Sequence, residues 1–237
     1  MSSFKFALVA LTAAFTLTAG AAHADSFTTG SFYSGTVPNS SSAGELTFSI
    51  NGDKETAGGG NFAGSTGIVN GKATTFTEVY CVDLFDTIKL NTTYNATYST
   101  TGVVNNHTVN NAGAIAWLIT NLAPTATTAT QDEALQAAIW KTEYGSNFTL
   151  LTNDNSSALD AAYASDLAAL GDNTAALNSV LWVSSENNDR SDHSDAQGQV
   201  AYDPAPAVPE PGTLSLFGTG IIGLAGIVRR RFSASVA

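Results

Sequence analysis

Polar and apolar residues alternate at every step through Glu45-Leu46-Thr47-Phe48-Ser49-Ile50, and Asn51-Gly52 follows at once. A period of two closed by a turn dipeptide predicts a strand and, if the chain returns, a hairpin. Asn51 to Gly67, rich in glycine, serine and threonine, reads as a loop. Phe76 to Phe85 places Phe76, Val79, Tyr80, Val82 and Leu84 on both sides of an extended segment. Apolar residues on two faces predict a central strand, with Cys81 in its middle. Tyr94 to Val109 has the composition for two more strands.

The period then changes to that of helices. Ala112 to Asn121 is short and apolar, bounded by Asn110 or Asn111 and by Pro124. Thr130 to Tyr144 (TQDEALQAAIWKTEY) opens with Thr130 and Glu133 in the spacing of a capping box, and Gly145 follows as a stop. On this helix Gln136 and Trp140 are four apart and share a face, with the indole leaning back over the turn that carries the amide. Ser157 and Asp160 open a third helix that puts Leu159, Tyr163, Leu167 and Leu170 on one side and ends at Gly171. Asn178 to Val183 and Gln199 to Tyr202 read as returning strands. Strands, then helices, then strands predict an α+β fold: a β-barrel or sandwich with an inserted helical subdomain.

Both ends of the chain look like processing signals. Residues 1–24 carry Lys5, an apolar stretch from Phe6 to Thr18 and the small-residue site Ala22-His23-Ala24, the layout of a cleaved signal peptide. Residues 25–203 are then one domain, and residues 204–237 a linker and tail. The tail runs from Asp203-Pro204-Ala205-Pro206 into Pro209-Glu210-Pro211, an apolar run over residues 214–228, and Arg229-Arg230-Arg231. This tripartite layout resembles the PEP-CTERM sorting signal of Gram-negative bacteria. The resemblance implies recognition by an exosortase, removal of the tail, and a secreted or cell-surface product. The apolar run is shorter than the ~20 residues of a spanning helix, so membrane contact is expected only in transit.

Charge narrows the partners. Between Asp25 and Glu210 five basic residues (Lys54, Lys72, Lys89, Lys141, Arg190) stand against all twenty acidic ones, a net of −15. Nucleic acid is excluded as a natural ligand, because phosphate binding needs the opposite sign.

One cysteine in an exported chain has no intramolecular disulfide partner, which makes Cys81 a candidate for other chemistry. Leu135 to Trp140, LQAAIW, resembles the Q-x-A-I-W signature of bacterial thioester domains, and Tyr80-Cys81-Val82 resembles their cysteine motif. The order, cysteine before glutamine, is also similar, as is Ala114 to Asn121 (AIAWLITN). Leu135 departs from the threonine that better-known members carry before the glutamine. The resemblance covers about Glu78 to Gly145. It implies an internal thioester between Cys81 and Gln136, shielded by Tyr80, Val82 and Trp140 and needing no cofactor or metal. Such a bond reacts once with an amine on a surface ligand or extracellular polymer, so the expected role is adhesion or attachment rather than enzymatic turnover.

Two other readings stay open. In one, the chain is a chemically inert matrix protein, with Asp189, Asp192 and Asp195 as a weak calcium candidate that does not match the EF-hand pattern. In the other, Cys81 and His107 form a cysteine hydrolase. The Asn-x-Ser/Thr matches at Asn91, Asn95 and Asn147 are chance in so Asn- and Thr-rich a sequence.

Overall fold

The structure, a computed structural model, describes residues 25–32, 45–151, 154–186 and 196–202. The signal segment, the sorting tail and the acidic run with Asp189, Asp192 and Asp195 lie outside the described residues.

In chain order the strands are β1 (Ser26–Thr28), β2 (Ser31–Phe32), β3 (Glu45–Ile50), β4 (Asp53–Gly58), β5 (Phe62–Ala63), β6 (Thr66–Val69) and β7 (Lys72–Thr75). There follow β8 (Glu78–Cys81), β9 (Thr93–Ser99), β10 (Val103–Val104), β11 (His107–Thr108), β12 (Phe148–Leu150), β13 (Leu181–Glu186) and β14 (Ala196–Tyr202). The helices α1 (Ala112–Asn121), α2 (Ala129–Tyr144) and α3 (Ser157–Leu170) come between β11 and β13, with β12 after α2. The main sheet is antiparallel throughout, in the order β7-β6-β1-β9-β13-β14-β8. A second, antiparallel sheet has the order β12-β3-β4. Because β9 and β13 are neighbours, all three helices leave the main sheet at one junction and return to it at the next strand. The fold is α+β, and its main sheet is open, with β7 and β8 as its edges among the described residues.

The predicted hairpin is β3–β4: Asn51 and Gly52 take φ of 54° and 98°, the two left-handed positions that a tight primed turn demands. Part of the segment expected to be loop is therefore strand, since Asp53–Gly58 returns along β3 and Thr66–Val69 joins the main sheet. Its small polar residues concealed that pairing, for β4 is exposed along most of its length.

The strand expected at the centre of a sheet is instead its last member. Two cores enclose β8. Val79 and Cys81 belong to one with Phe27, Phe48, Phe76 and Trp140, while Tyr80 and Val82 belong to the other with Ile115, Ile119 and Trp182. Burial on both faces gives the same apolar pattern as a central position, and hydropathy cannot separate the two cases.

Helix α2 is buried on every side from Ala134 to Trp140 and supplies residues to both cores. Ala134, Ala137 and Ala138 keep it thin enough to lie among α1, α3, β3 and β8. Its capping box is two residues earlier than the sequence suggested. Thr128 Oγ1 accepts from the Gln131 N–H at 3.3 Å, and Gln131 Oε1 accepts from the Thr128 N–H at 3.2 Å. Gln131, the other glutamine of α2, has its amide committed to the cap. Gly145 ends the helix at φ 57°. Helix α1 matches its predicted bounds and follows Asn111 at φ 51°. Asn111 makes no side-chain cap and donates instead to the Thr142 carbonyl at 2.9 Å, tying α1 to α2.

Losing the cap should make Thr128→Ala cost about 1 kcal/mol in urea unfolding. Thr130→Ala, inside the first turn, should stay within about 0.5 kcal/mol of wild type. The reverse ranking would move the start of α2 back to where the sequence pattern put it.

Candidate functional site

The site is built on the free edge of β8. Opposite it, Gln199 faces Cys81 and Val200 faces Tyr80, and the Val82 N–H donates to the Gly198 carbonyl at 3.0 Å. Hydrogen bonds alternate along an antiparallel pair, so the main-chain N–H and C=O of Cys81 point away from β14. Among the described residues nothing in the main chain completes that edge, and a buried, unpaired N–H or C=O is costly.

Side chains complete it instead. Gln136 Oε1 accepts from the Cys81 N–H at 2.9 Å, and Gln136 Nε2 donates to the Cys81 carbonyl at 2.7 Å. The carboxamide thus pairs with Cys81 as a peptide group of another strand would. One step back, Asn61 Oδ1 accepts from the Val79 N–H at 3.0 Å. One step on, Tyr144 Oη accepts from the Leu84 N–H at 3.0 Å and donates to the Val82 carbonyl at 3.4 Å. Gln136, Trp140 and Tyr144 recur every four residues, and this stripe of α2 lies along the strand.

Gln136 is fully buried and Cys81 is 1 % exposed. Gly59 helps to seal the pair. A Cβ at that position would come within 2.9 Å of Gln136 Cγ and 2.6 Å of Leu46 Cδ1, so only glycine brings the main chain against the Gln136 stem. Trp140 shares the core of Cys81, packs on Phe48 and Phe148 at 5.4 and 6.1 Å between ring centroids, and among the described residues leaves its indole N–H without a partner. Strand alternation turns Tyr80 and Val82 to the face opposite the Cys81 side chain. The Tyr80 hydroxyl donates to Asp132 Oδ1 at 2.6 Å.

The sulfur itself meets a residue that sequence reasoning did not single out. The Cys81 S–H donates to Gln197 Oε1 at 2.8 Å. Burial, and secondarily the charge of Asp83, push the thiol well above its ordinary pKa. Neither Gln197 nor Asn61 carried a local signal, since each acts across more than a loop's length of chain. Gly59 has one, the run Gly58-Gly59-Gly60, whose composition by itself indicates only a loop.

A cavity of about 380 Å³ opens beyond the end of β8, between Val82, Asp83 and Phe85 on one side and His107, Glu143 and Tyr144 on the other. His107 is exposed there, and Cys81 is not among the lining residues. Among the described residues no three of His, Cys, Asp or Glu gather as a metal site.

Residues 207–231 match the PEP-CTERM protein-sorting motif. The chain is therefore an exported protein handled by an exosortase, destined for the cell surface or the extracellular space. No curated protein and no solved structure matches it as a similar relative.

Two acids near the site titrate high. Burial, then the charge of Asp132, lifts Glu78 to about 7. Burial lifts Glu143 to about 7 against the opposing hydrogen bonds of Asn110, with Asp83 adding to the rise. Both start from an ordinary value of 4.5, so the folded chain holds protons that the unfolded chain releases between about 4.5 and 7. Stability from these groups is present below that window and lost as pH rises through it. The urea midpoint should thus be higher at pH 5 than at pH 8, and Glu78→Gln with Glu143→Gln should flatten the difference. A midpoint that climbs with pH would contradict the assignment.

Proposed function

We propose that Cys81 and Gln136 form an internal thioester, and that the exported domain uses it once, to bond covalently to an amine on a surface ligand or extracellular polymer. The observation that carries this reading is the pairing of both polar atoms of the Gln136 carboxamide with Cys81, the chain's single cysteine, at 2.9 and 2.7 Å in a dry interior. Fifty-five residues of chain separate the two, so their contact is a property of the fold.

The chemistry is an acyl exchange. The Cys81 sulfur bonds to the Gln136 side-chain carbonyl carbon, the C–N bond breaks, and the thiol proton leaves with the nitrogen as ammonia. The Cys81 N–H already donates to the oxygen on which negative charge develops, which supports it as the oxyanion donor. Rotation about χ1 is the freedom that carries the sulfur from Gln197 toward this carbon. An amine then attacks the thioester, the C–S bond breaks, and an isopeptide bond remains beside a restored thiol. Buried surroundings keep water from taking the place of the amine.

Two observations favour other outcomes, and one measurement separates them all. Both polar atoms of the Gln136 carboxamide are paired with the strand edge, as in a purely structural strut of an inert matrix protein. The sulfur's own hydrogen bond goes to Gln197, a second carboxamide. The mature wild-type domain should have an intact mass lower than its composition by one ammonia, and it should add methylamine on incubation. Cys81→Ala and Gln136→Ala should each abolish both effects, and Gln197→Ala should keep them. An unchanged wild-type mass leaves the strut reading; a loss that survives Gln136→Ala but not Gln197→Ala moves the bond to Gln197.

A further inference from the structure

We infer that Gln197 is a positioning residue for this same bond: its carboxamide holds the freed Cys81 thiol and biases the site against reclosing once an amine has been captured. The bias rests on the thioester reading, whereas the hydrogen bond beneath it does not.

The orientation of Gln197 is fixed at both ends. Its Nε2 donates to the Asp83 carbonyl at 2.5 Å, and a main-chain carbonyl can only accept. Oε1 is therefore the atom left facing the sulfur at 2.8 Å, and it too can only accept. The sulfur must carry the proton. The main chain of Gln197 is held as well, by its own N–H to the Thr87 carbonyl at 3.3 Å and by the Gln199 carboxamide, which donates to the Gln197 carbonyl. Gln199 is buried and accepts in turn from Ser185 Oγ at 3.2 Å. Burial and Asp83 both favour the protonated thiol that this arrangement requires.

The open and closed forms then differ by one part-buried hydrogen bond. With the sulfur bonded to Gln136 there is no S–H, and Gln197 Oε1 loses its donor. To reclose after capture, the sulfur must leave Gln197 and attack the substituted amide carbon. The C–N bond breaks, and the thiol proton departs on the amine. A net intramolecular hydrogen bond shifts such an equilibrium roughly 2- to 10-fold.

Gln197→Met keeps the side-chain length and removes the acceptor. The variant and its wild-type control would be opened with methylamine, freed of excess amine and followed by intact mass. The Gln197→Met protein should return to the lighter thioester mass roughly 2- to 10-fold more than wild type. Equal return in the two overturns the inference, because a merely structural role would change folding stability without changing this balance. The infrared S–H stretch gives a readout free of acyl chemistry, since the chain has one thiol. In Gln136→Ala protein the band should lie at lower frequency than in the Gln136→Ala, Gln197→Met double variant. Coincident bands overturn the inference even if a thioester forms. A shifted band in a protein whose wild type never loses ammonia overturns the thioester reading and the bias together, leaving only the hydrogen bond.

Discussion

One carboxamide stands where a strand is missing. The main sheet ends at β8, whose outward N–H and C=O at Cys81 would be stranded in an apolar interior without Gln136. Two short hydrogen bonds at 2.9 and 2.7 Å solve that problem and fix the placement of α2 along the edge. Everything packed on α2 inherits the same register: Trp140 against Phe48 and Phe148, and Tyr144 against the turn after β8. The two cores are thus joined through a polar contact, and its loss would expose unsatisfied groups on both partners.

The same contact gives the reactive reading its physical basis. A strut needs only the hydrogen bonds; an acyl donor needs them plus a nucleophile, a dry enclosure and a donor at the carbonyl oxygen. In the proposed reaction Cys81 supplies the nucleophile from its side chain and the donor from its main chain. Gly59, by bringing its main chain against the Gln136 stem, tightens the enclosure. Gln197 gives the sulfur a second place to rest. The proposed single-use bond suits an exported protein whose C-terminal signal directs it to the cell surface or the extracellular space.

Electrostatics sets the wider conditions. The chain is strongly acidic, with a formal net charge of −11 at neutral pH, and several carboxylates near the site are half-buried. Asp132 is held by the Tyr80 hydroxyl, which lowers its pKa against the larger rise from burial. The raised values of Glu78 and Glu143 favour a mildly acidic medium for the fold.

By itself the sequence determined what local chemistry controls. The β3–β4 turn was legible because Asn51-Gly52 is one of few dipeptides that take two positive φ values cheaply. Helix α1, the stop at Gly145 and the sorting tail were legible for the same kind of reason, and so was the pairing of Cys81 with Gln136 as candidates. Tertiary structure decided the rest. It made β8 an edge rather than a centre, since burial on two faces reads alike in either place. It chose Thr128–Gln131 over Thr130–Glu133 as the capping pair of α2, two local patterns of the same form. It brought in Asn61, Gly59 and Gln197, whose roles depend on contacts across long stretches of chain, and no periodicity along a sequence encodes which distant amide will meet a strand's unpaired edge.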